Sequence, residues 1–377
     1  MAAEIYVGLM SGTSVDAIDA VLVAIHPGVE SPRLLAALAI EMPDRLRQDI
    51  LALCQAGDNE VDRLGVLDAE LGQLFADAAL AVIRRGEVEP AAVRAIGSHG
   101  QTIRHRPSGQ IPFTLQIGDP NRIAEITGIT TVADFRRRDM ATGGQGAPLV
   151  PAFHEAVFRC DTEDRVVVNI GGMANITVLP GDQASHVHGF DTGPGNALLD
   201  GWHQKHRGGA YDPGGAWAAG GTVHETLLQE LLADPWFASP PPRSTGRETF
   251  GLPVLEERFS AHLRECPAQD VQATLSEFTA RTIADAICRW GTHGGSVFLC
   301  GGGAHNADLC RRIAARLPKH RLASTSELGI DPDWVEGMAF AWLAARTMSG
   351  LPGNLPAVTG ASSPVVLGGI YPGRTGI

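Results

Sequence analysis

The stretch IYVGLMSGTSVDAIDAVLVAI, residues 5–25, limits the fold of this chain more than any other. It runs apolar, breaks at a short knot of Gly, Ser and Thr, then turns apolar again. Ile5 to Met10 reads as one strand and the β-branched run Val21 to Ile25 as its partner. A Gly/Ser/Thr turn after a strand exposes backbone N–H groups that can converge on an anion. Residues 165–180, RVVVNIGGMANITVLP, repeat the form: strand, Gly-rich turn, strand. A third segment, GSVFLCGGGAHNADLCRRIAARL, sets a triple-Gly turn between a strand and an amphipathic helix. Any one of these is more commonly an ordinary tight turn. Three in this order describe two Gly-tipped hairpins, one per half, that clasp a phosphate chain, with the third turn against a nucleoside.

Composition excludes a P-loop, and spacing disfavours a dinucleotide fold. A P-loop needs GxxxxGK[ST], whose Lys reaches the phosphates; the chain's only lysines, Lys205 and Lys319, do not follow a Gly. A dinucleotide fingerprint needs GxGxxG entering a helix, and GGGAHN lacks the third Gly. No HExxH, GxSxG or CxxC occurs, and His99 has no partner at zinc-ligand spacing. The net charge of −12 makes nucleic acid and anionic membrane poor partners. No apolar run is long enough to span a bilayer, and the opening MAAEIYVGLM has no basic n-region. With six scattered cysteines, these features lead to the expectation of a cytoplasmic enzyme or nucleotide switch.

Strands alternate with helical patterns along the chain, which is the mark of an α/β fold. A helical pattern runs from Val61 to Arg85, and AAVRAIGSHGQTIRH places a strand, Val93 to Gly97, before a polar loop. DFRRRDMATGGQGAPLVPAFHEAV reads as a Gly-rich crossover beside a lobe boundary, and SPPPR as a loop. PDWVEGMAFAWLAARTM reads as a buried helix, and PVVLGGIYPG as a returning tail. The expected division is lobe I at 1–140 with the tail 355–377, and lobe II at 141–354.

The motifs GLMSGTSVDAIDAVLV, GSHGQTIRH, LQIGDP, DFRRRDMATGGQGAPLVP, VNIGGMANIT, GFDTGPGNALLD and EGMAFAWLA together resemble the anhydro-N-acetylmuramic acid kinase family. The match covers nearly the whole chain in order. One departure is Ala17, where the family usually has Gly. The resemblance implies a two-lobed actin-like ATPase (ribonuclease H-like) fold of the sugar kinase/Hsp70/actin superfamily, with a central nucleotide cleft. It implies an ATP-dependent kinase that hydrolytically opens the 1,6-anhydro ring of an amino sugar and phosphorylates O6, giving N-acetylmuramic acid 6-phosphate and ADP in peptidoglycan recycling. A homodimer is implied in the same way. The alternatives are another sugar or small-acid kinase of the superfamily, or a nucleotide-dependent switch or filament protein; the polar SHGQT and GGQGAP loops speak against the last.

Phosphoryl transfer needs positioned phosphates, Mg²⁺ and a carboxylate near the attacking oxygen. The candidate phosphate and nucleotide contacts are Gly12, Thr13, Ser14, Val15, Asp16, Ala17, Ile18 and Asp19 in the first turn, then Gly171, Gly172 and Asn175, then Gly301, Gly302, Gly303 and Asn306. Asp16 is the favoured Mg²⁺ residue, acting through water because Mg²⁺ keeps much of its hydration. Asp191, ahead of a Gly/Pro turn, either N-caps the helix that follows or projects as a functional carboxylate; the resemblance implies the catalytic base. Glu336, in an otherwise apolar helix, is either a second catalytic carboxylate near the sugar or part of a surface face. Ser98, His99, Gln101 and Thr102 offer donors and acceptors suited to a sugar. Arg138 is placed there to pair with the substrate carboxylate, with Asp139 beside it, although an RRR run is more often a solvated face.

Overall fold

The computed structural model describes residues 2–374 apart from 27, 29, 30 and 183, and leaves out the side chain of residue 248. Residues 375–377, the end of the expected tail, lie outside the described residues. The chain divides into two compact units, Met1–Val157 with Trp334–Ile377, and Phe158–Asp333.

In the first unit, β1 (Glu4–Met10), β2 (Ala17–Ile25) and β3 (Arg33–Glu41) form an antiparallel meander. Then β4 (Val93–Ser98) pairs parallel to β1, and β7 (Thr131–Ala133) parallel to β4. The strand Gly369–Tyr371 closes the edge against β7, so the sheet order is Gly369–Tyr371, β7, β4, β1, β2, β3. Beyond β4, β5 (Gln101–Arg106) and β6 (Phe113–Ile117) form a separate ribbon.

Residues Tyr6 to Met10 of β1 are all buried, so both faces of the sheet are covered. One face takes the helix Glu60–Arg85, whose buried Leu67, Leu71, Phe75, Ala79 and Val82 recur at helical spacing. Acidic residues in its first turn and arginines in its last complement the helix dipole. Those apolar side chains join Val7, Leu9, Ile18, Ala20 and Leu22 in one core cluster. The alternate face meets the helix Val335–Met348 through glycine. A Cβ on Gly8 would stand 1.9 Å from the Gly337 carbonyl oxygen, and one on Gly97 would stand 2.1 Å from that of Phe340. Backbone therefore packs on backbone, an approach that any side chain at these two positions would prevent.

The second unit repeats the plan. Its sheet takes β8 (Arg165–Ile170), β9 (Met173–Leu179) and β10 (His188–Pro194) as an antiparallel meander, with β11 (Gly295–Cys300) and β12 (His320–Ser324) added parallel beside β8. The order β10-β9-β8-β11-β12 matches β3-β2-β1-β4-β7 strand for strand. The expected α/β, ribonuclease H-like fold of actin-like ATPases is thus present, with its sheet in both units. The two segments SGTS and GGMAN stand at hairpin turns, and the triple Gly leads from β11 toward the helix Ala307–Arg316. Among the described residues no helix is long and apolar enough to cross a membrane.

Candidate active site

The first hairpin turn is tightened by a hydrogen bond from the Val15 N–H to the Gly12 carbonyl at 3.2 Å. Val15 closes it in the left-handed region, with φ of 52°. That conformation is strained for a β-branched residue, by about 1–3 kcal/mol, and the Val15 side chain is buried. Thr13 and Asp16 are exposed; Gly12, Ser14, Ala17 and Asp19 are half-buried, and Ile18 is buried. Ala17 opens β2 with no positive φ, so its extra methyl is compatible with the strand backbone.

The SHGQT loop braces this turn. Gln101 Oε1 accepts from the Ser11 hydroxyl at 2.7 Å, and its Nε2 donates to the Gly12 carbonyl at 3.2 Å. The His99 N–H donates to the Leu9 carbonyl at 3.0 Å. The His99 ring is buried 4.7 Å from that of Phe340. Its Nδ1 lies 2.8 Å from the Gly100 carbonyl, while Nε2 accepts from Arg136 Nε at 3.0 Å. Burial first, and the Arg136 charge second, hold the His99 pKa well below its usual value, so the ring is neutral. Ser98 is fully buried, its hydroxyl without a hydrogen-bond partner among the described residues, and the Thr102 hydroxyl accepts from Gln116 at 3.0 Å.

The arginine run divides by helical phase. Phe135 and Asp139 are buried one turn apart, Arg136 is half-buried beside them, and Arg138 is exposed. Arg136, which the sequence reading passed over, bonds both His99 and the Gly146 carbonyl, the latter at 2.8 Å; the spacing of Phe135 and Asp139 was the available signal. Asp139 is fully buried. Its carboxylate accepts from Asn354 at 2.7 Å, the Thr359 hydroxyl at 2.7 Å and the Gly146 N–H at 2.8 Å. In this geometry Asp139 organises the Gly-rich loop 142–146. Glu336 occupies the first turn of Val335–Met348, half-buried between buried Val335 and Gly337.

In the second unit the hairpin tip is held mainly by backbone, with the Asn196 side chain donating to the Ile170 carbonyl at 3.1 Å. The Gly172 carbonyl accepts from the N–H groups of Gly195 at 2.9 Å and Ala197 at 3.0 Å, and the Gly171 carbonyl from that of Asn196 at 2.8 Å. The tip therefore sits on the first residues of the helix Ala197–Arg207. Beside it, pairing register sets Asn169 of β8 opposite Asn175 of β9, and Asn175 opposite Asp191 of β10. Three polar residues thus form a row across three strands. Among the described residues the Oδ1 atoms of Asn169 and Asn175 are buried without a hydrogen-bond partner. A buried acceptor of that kind calls for a donor from water or a ligand.

Asp191 is 8% exposed and lies within β10; Asn196 occupies the position that precedes the helix. The capping alternative is thereby set aside. A register shift between Asp191 and Gly193, with Gly193 at φ of 134°, bends the strand at this point. Asp191 Oδ2 accepts the Thr245 N–H at 2.8 Å, and the Asp191 N–H donates to the Arg243 carbonyl at 3.1 Å. Gly301 takes φ 75° and ψ 172°, a region nearly restricted to glycine. A Cβ there would come within 2.4 Å of Asn169 Oδ1, and one on Gly303 within 2.3 Å of Ile170 Cγ2. The triple-Gly turn is thus folded onto the end of β8, with Gly302 exposed. Asn306 caps the next helix, its Oδ1 accepting the Leu309 N–H at 3.0 Å.

Sequence reasoning missed Asn169, Arg243 and Thr245. The first stood inside a motif already quoted, one residue from the glycines. The other two followed or ended a proline run read only as a loop. Among the described residues no group of three or more His, Cys, Asp or Glu side chains is placed to hold a metal. Asp16 instead offers one exposed carboxylate in a turn, which suits a hydrated cation carried by phosphates.

A family model for anhydro-N-acetylmuramic acid kinase matches residues 4–373. The anhydro-N-acetylmuramic acid kinase of Xanthomonas campestris pv. campestris is 55% identical over 374 residues, covering 98% of this chain and 97% of its own. That of Saccharophagus degradans is 50% identical over 98% of this chain and 100% of its own. For that of Coxiella burnetii the identity is 49%, over 99% of each. Among solved structures, a ROK hexokinase from Thermus thermophilus is 17% identical over 91% of this chain and 99% of its own, with a TM-score of 0.35.

Proposed function

The chain belongs to the anhydro-N-acetylmuramic acid kinase family, and from that premise we propose the following reaction for it. It is an ATP-dependent carbohydrate kinase whose substrate is the 1,6-anhydro amino sugar. Asp191 takes a proton from water as that water attacks the anomeric carbon. The C1–O6 bond breaks, and its electrons go to O6, which attacks the γ-phosphorus; the bond from that phosphorus to ADP breaks. The products are N-acetylmuramic acid 6-phosphate, ADP and the proton held by Asp191. The carbon centre inverts, as in glycosidases that activate water with a carboxylate.

The observation that carries this reading is the placement of Asp191: its Oδ2 accepts the Thr245 amide, beside a row of asparagines and a Gly-tipped hairpin. An amide that donates to a carboxylate favours its charged form, the form a base needs. Glu336 holds the water or the developing oxocarbenium charge. The backbone N–H groups of residues 12–14, 16, 171 and 172 receive the phosphates, and Asp16 would hold a hydrated Mg²⁺ that would neutralise their charge. A cytoplasmic homodimer working in cell-wall recycling is part of the same proposal and rests on the family resemblance; light scattering on purified protein tests the dimer. Turnover in ¹⁸O water tests the chemistry. The label is expected at the anomeric carbon with none in phosphate, and label in phosphate overturns the reading.

A further inference from the structure

β10 is the edge strand of its sheet. The outward backbone groups of Asp191 therefore need partners from outside the sheet. They find them in Arg243, 52 residues on: its carbonyl accepts the Asp191 N–H at 3.1 Å, and its Nε donates to the Asp191 carbonyl at 3.1 Å. Two residues later, the Thr245 N–H reaches the carboxylate. Residues 243–245 thus lie along the edge at Asp191, at the point where the bulge interrupts the regular ladder to β9.

What holds this strap is the Arg243 side chain, only 7% exposed. Its guanidinium carbon lies 5.0 Å from the centroid of the Phe190 ring and 4.6 Å from that of Trp236. Its Nη1 donates to the carbonyls of Phe237 at 3.0 Å and Ser239 at 2.8 Å. Phe237 in turn packs where a Cβ on Gly193 would meet it at 2.9 Å. A guanidinium keeps its proton when buried, so the charge needs compensation. Burial pulls its pKa down, the Asp191 carboxylate opposes that, and Arg289 adds a like charge.

We infer that Arg243 is a positioning residue for the base: its side chain fixes the strap that orients the Asp191 carboxylate. The inference rests on Asp191 being the base. Arg243 reaches the Asp191 main chain directly and its carboxylate through the strap that ends at the Thr245 N–H. A simple loop anchor would need neither the bond to the Asp191 carbonyl nor a strap that returns to its carboxylate.

The test compares Arg243→Met, Arg243→Lys, Asp191→Asn and the double variant Asp191→Asn/Arg243→Met in the full chain, with ATP and the anhydro sugar. Calorimetry of ATP binding and thermal melting are run on each. Loss of orientation at a reacting group costs up to about 100-fold. Arg243→Met is therefore expected to lower kcat by about 10- to 100-fold with the KM for ATP unchanged within about threefold. The Lys variant, which keeps the charge and loses the fork, is expected between the two. It carries the same comparison if the Met variant fails to fold. The double variant should be no slower than Asp191→Asn alone, because both changes act on one group. Wild-type kcat in both Arg243 variants, with Asp191→Asn inactive, overturns the inference and leaves the base assignment standing. Additive losses in the double variant overturn it as well. Near-normal kcat in Asp191→Asn removes the base assignment and the inference with it.

Discussion

The two Gly-tipped hairpins occupy the same place in the same sheet plan, yet they are held differently. The β1–β2 turn is braced by side chains, with Gln101 reaching Ser11 and Gly12 and a buried Val15 in a strained conformation. The β8–β9 tip is braced chiefly by main chain, its two carbonyls taken by the start of the next helix, with one added bond from the Asn196 side chain. Side-chain bracing leaves Thr13 and Asp16 exposed at the first turn, as suits contact with phosphates and a hydrated cation. Backbone bracing fixes the second tip beside Asn169, Asn175 and Asp191, as suits a group that must be held in one orientation. The repeated topology supplies two loops, and the local bracing distinguishes them.

The strongest challenge to that division is Asp191→Asn. The amide keeps size and shape but accepts no proton from water. Turnover should fall by about 10²- to 10⁴-fold, toward the upper end, while ATP and sugar binding stay nearly intact. Steady-state kinetics with calorimetry check this, and a loss confined to KM would move Asp191 from catalysis to binding. Glu336→Gln comes next: kcat should fall while measurable activity remains, and an unchanged kcat would return Glu336 to a surface role.

Acid should separate the units. In the first, burial lowers the His105 pKa to about 4 and that of His154 to about 3, and His99 moves the same way. In the second, the more exposed His206 shifts in that direction. A histidine held below its unfolded pKa binds its proton more readily in the unfolded chain. Its contribution to stability is therefore complete above about pH 6.5 and is lost as pH falls from there toward 4. Each of the buried His105 and His154 removes on the order of 1 kcal/mol per pH unit in that window. Hydrogen exchange at pH 7 and pH 5 should show the first unit losing protection first; equal losses would contradict the comparison.

Glycine substitutions probe the bracing directly. Gly301→Ala forces a methyl toward Asn169 Oδ1 in a backbone region nearly restricted to glycine, and should destabilise the protein by about 1–3 kcal/mol. Gly12→Ala meets nothing within 4 Å, and should stay within about 0.5 kcal/mol. Denaturant unfolding of the pair measures the difference. The smallest effect is expected where neither hairpin is involved: replacing Lys205 and Lys319 by Arg should leave the KM for ATP within a few-fold. A collapse of ATP binding in the folded double variant would show that phosphate recognition uses lysine after all.

The elements that position the site were legible where their signal is local. Strand, Gly turn and strand repeat within about twenty residues, and the helix Glu60–Arg85 announces itself by apolar spacing. The missed residues had no local signal, or one that was easily read two ways. Arg136 and Arg138 are two positions apart in one run, and only helical phase, fixed by the burial of Phe135 and Asp139, separates them. Asp139 looked like a polar companion of Arg138, but it is bonded to residues 215 and 220 positions away.

By itself, then, the sequence determined the two hairpins, the absence of a lysine-based phosphate loop and the family. Each of these is written in residues close together in the chain or in motifs read in order. The tertiary structure alone decided that Asn169, Asn175 and Asp191 share one row, that Gly301 must clear Asn169, and that Arg243 reaches back to Asp191. Strand register and the closing of long loops set those relations. They depend on which surfaces bury one another, and no periodicity along the chain carries that information.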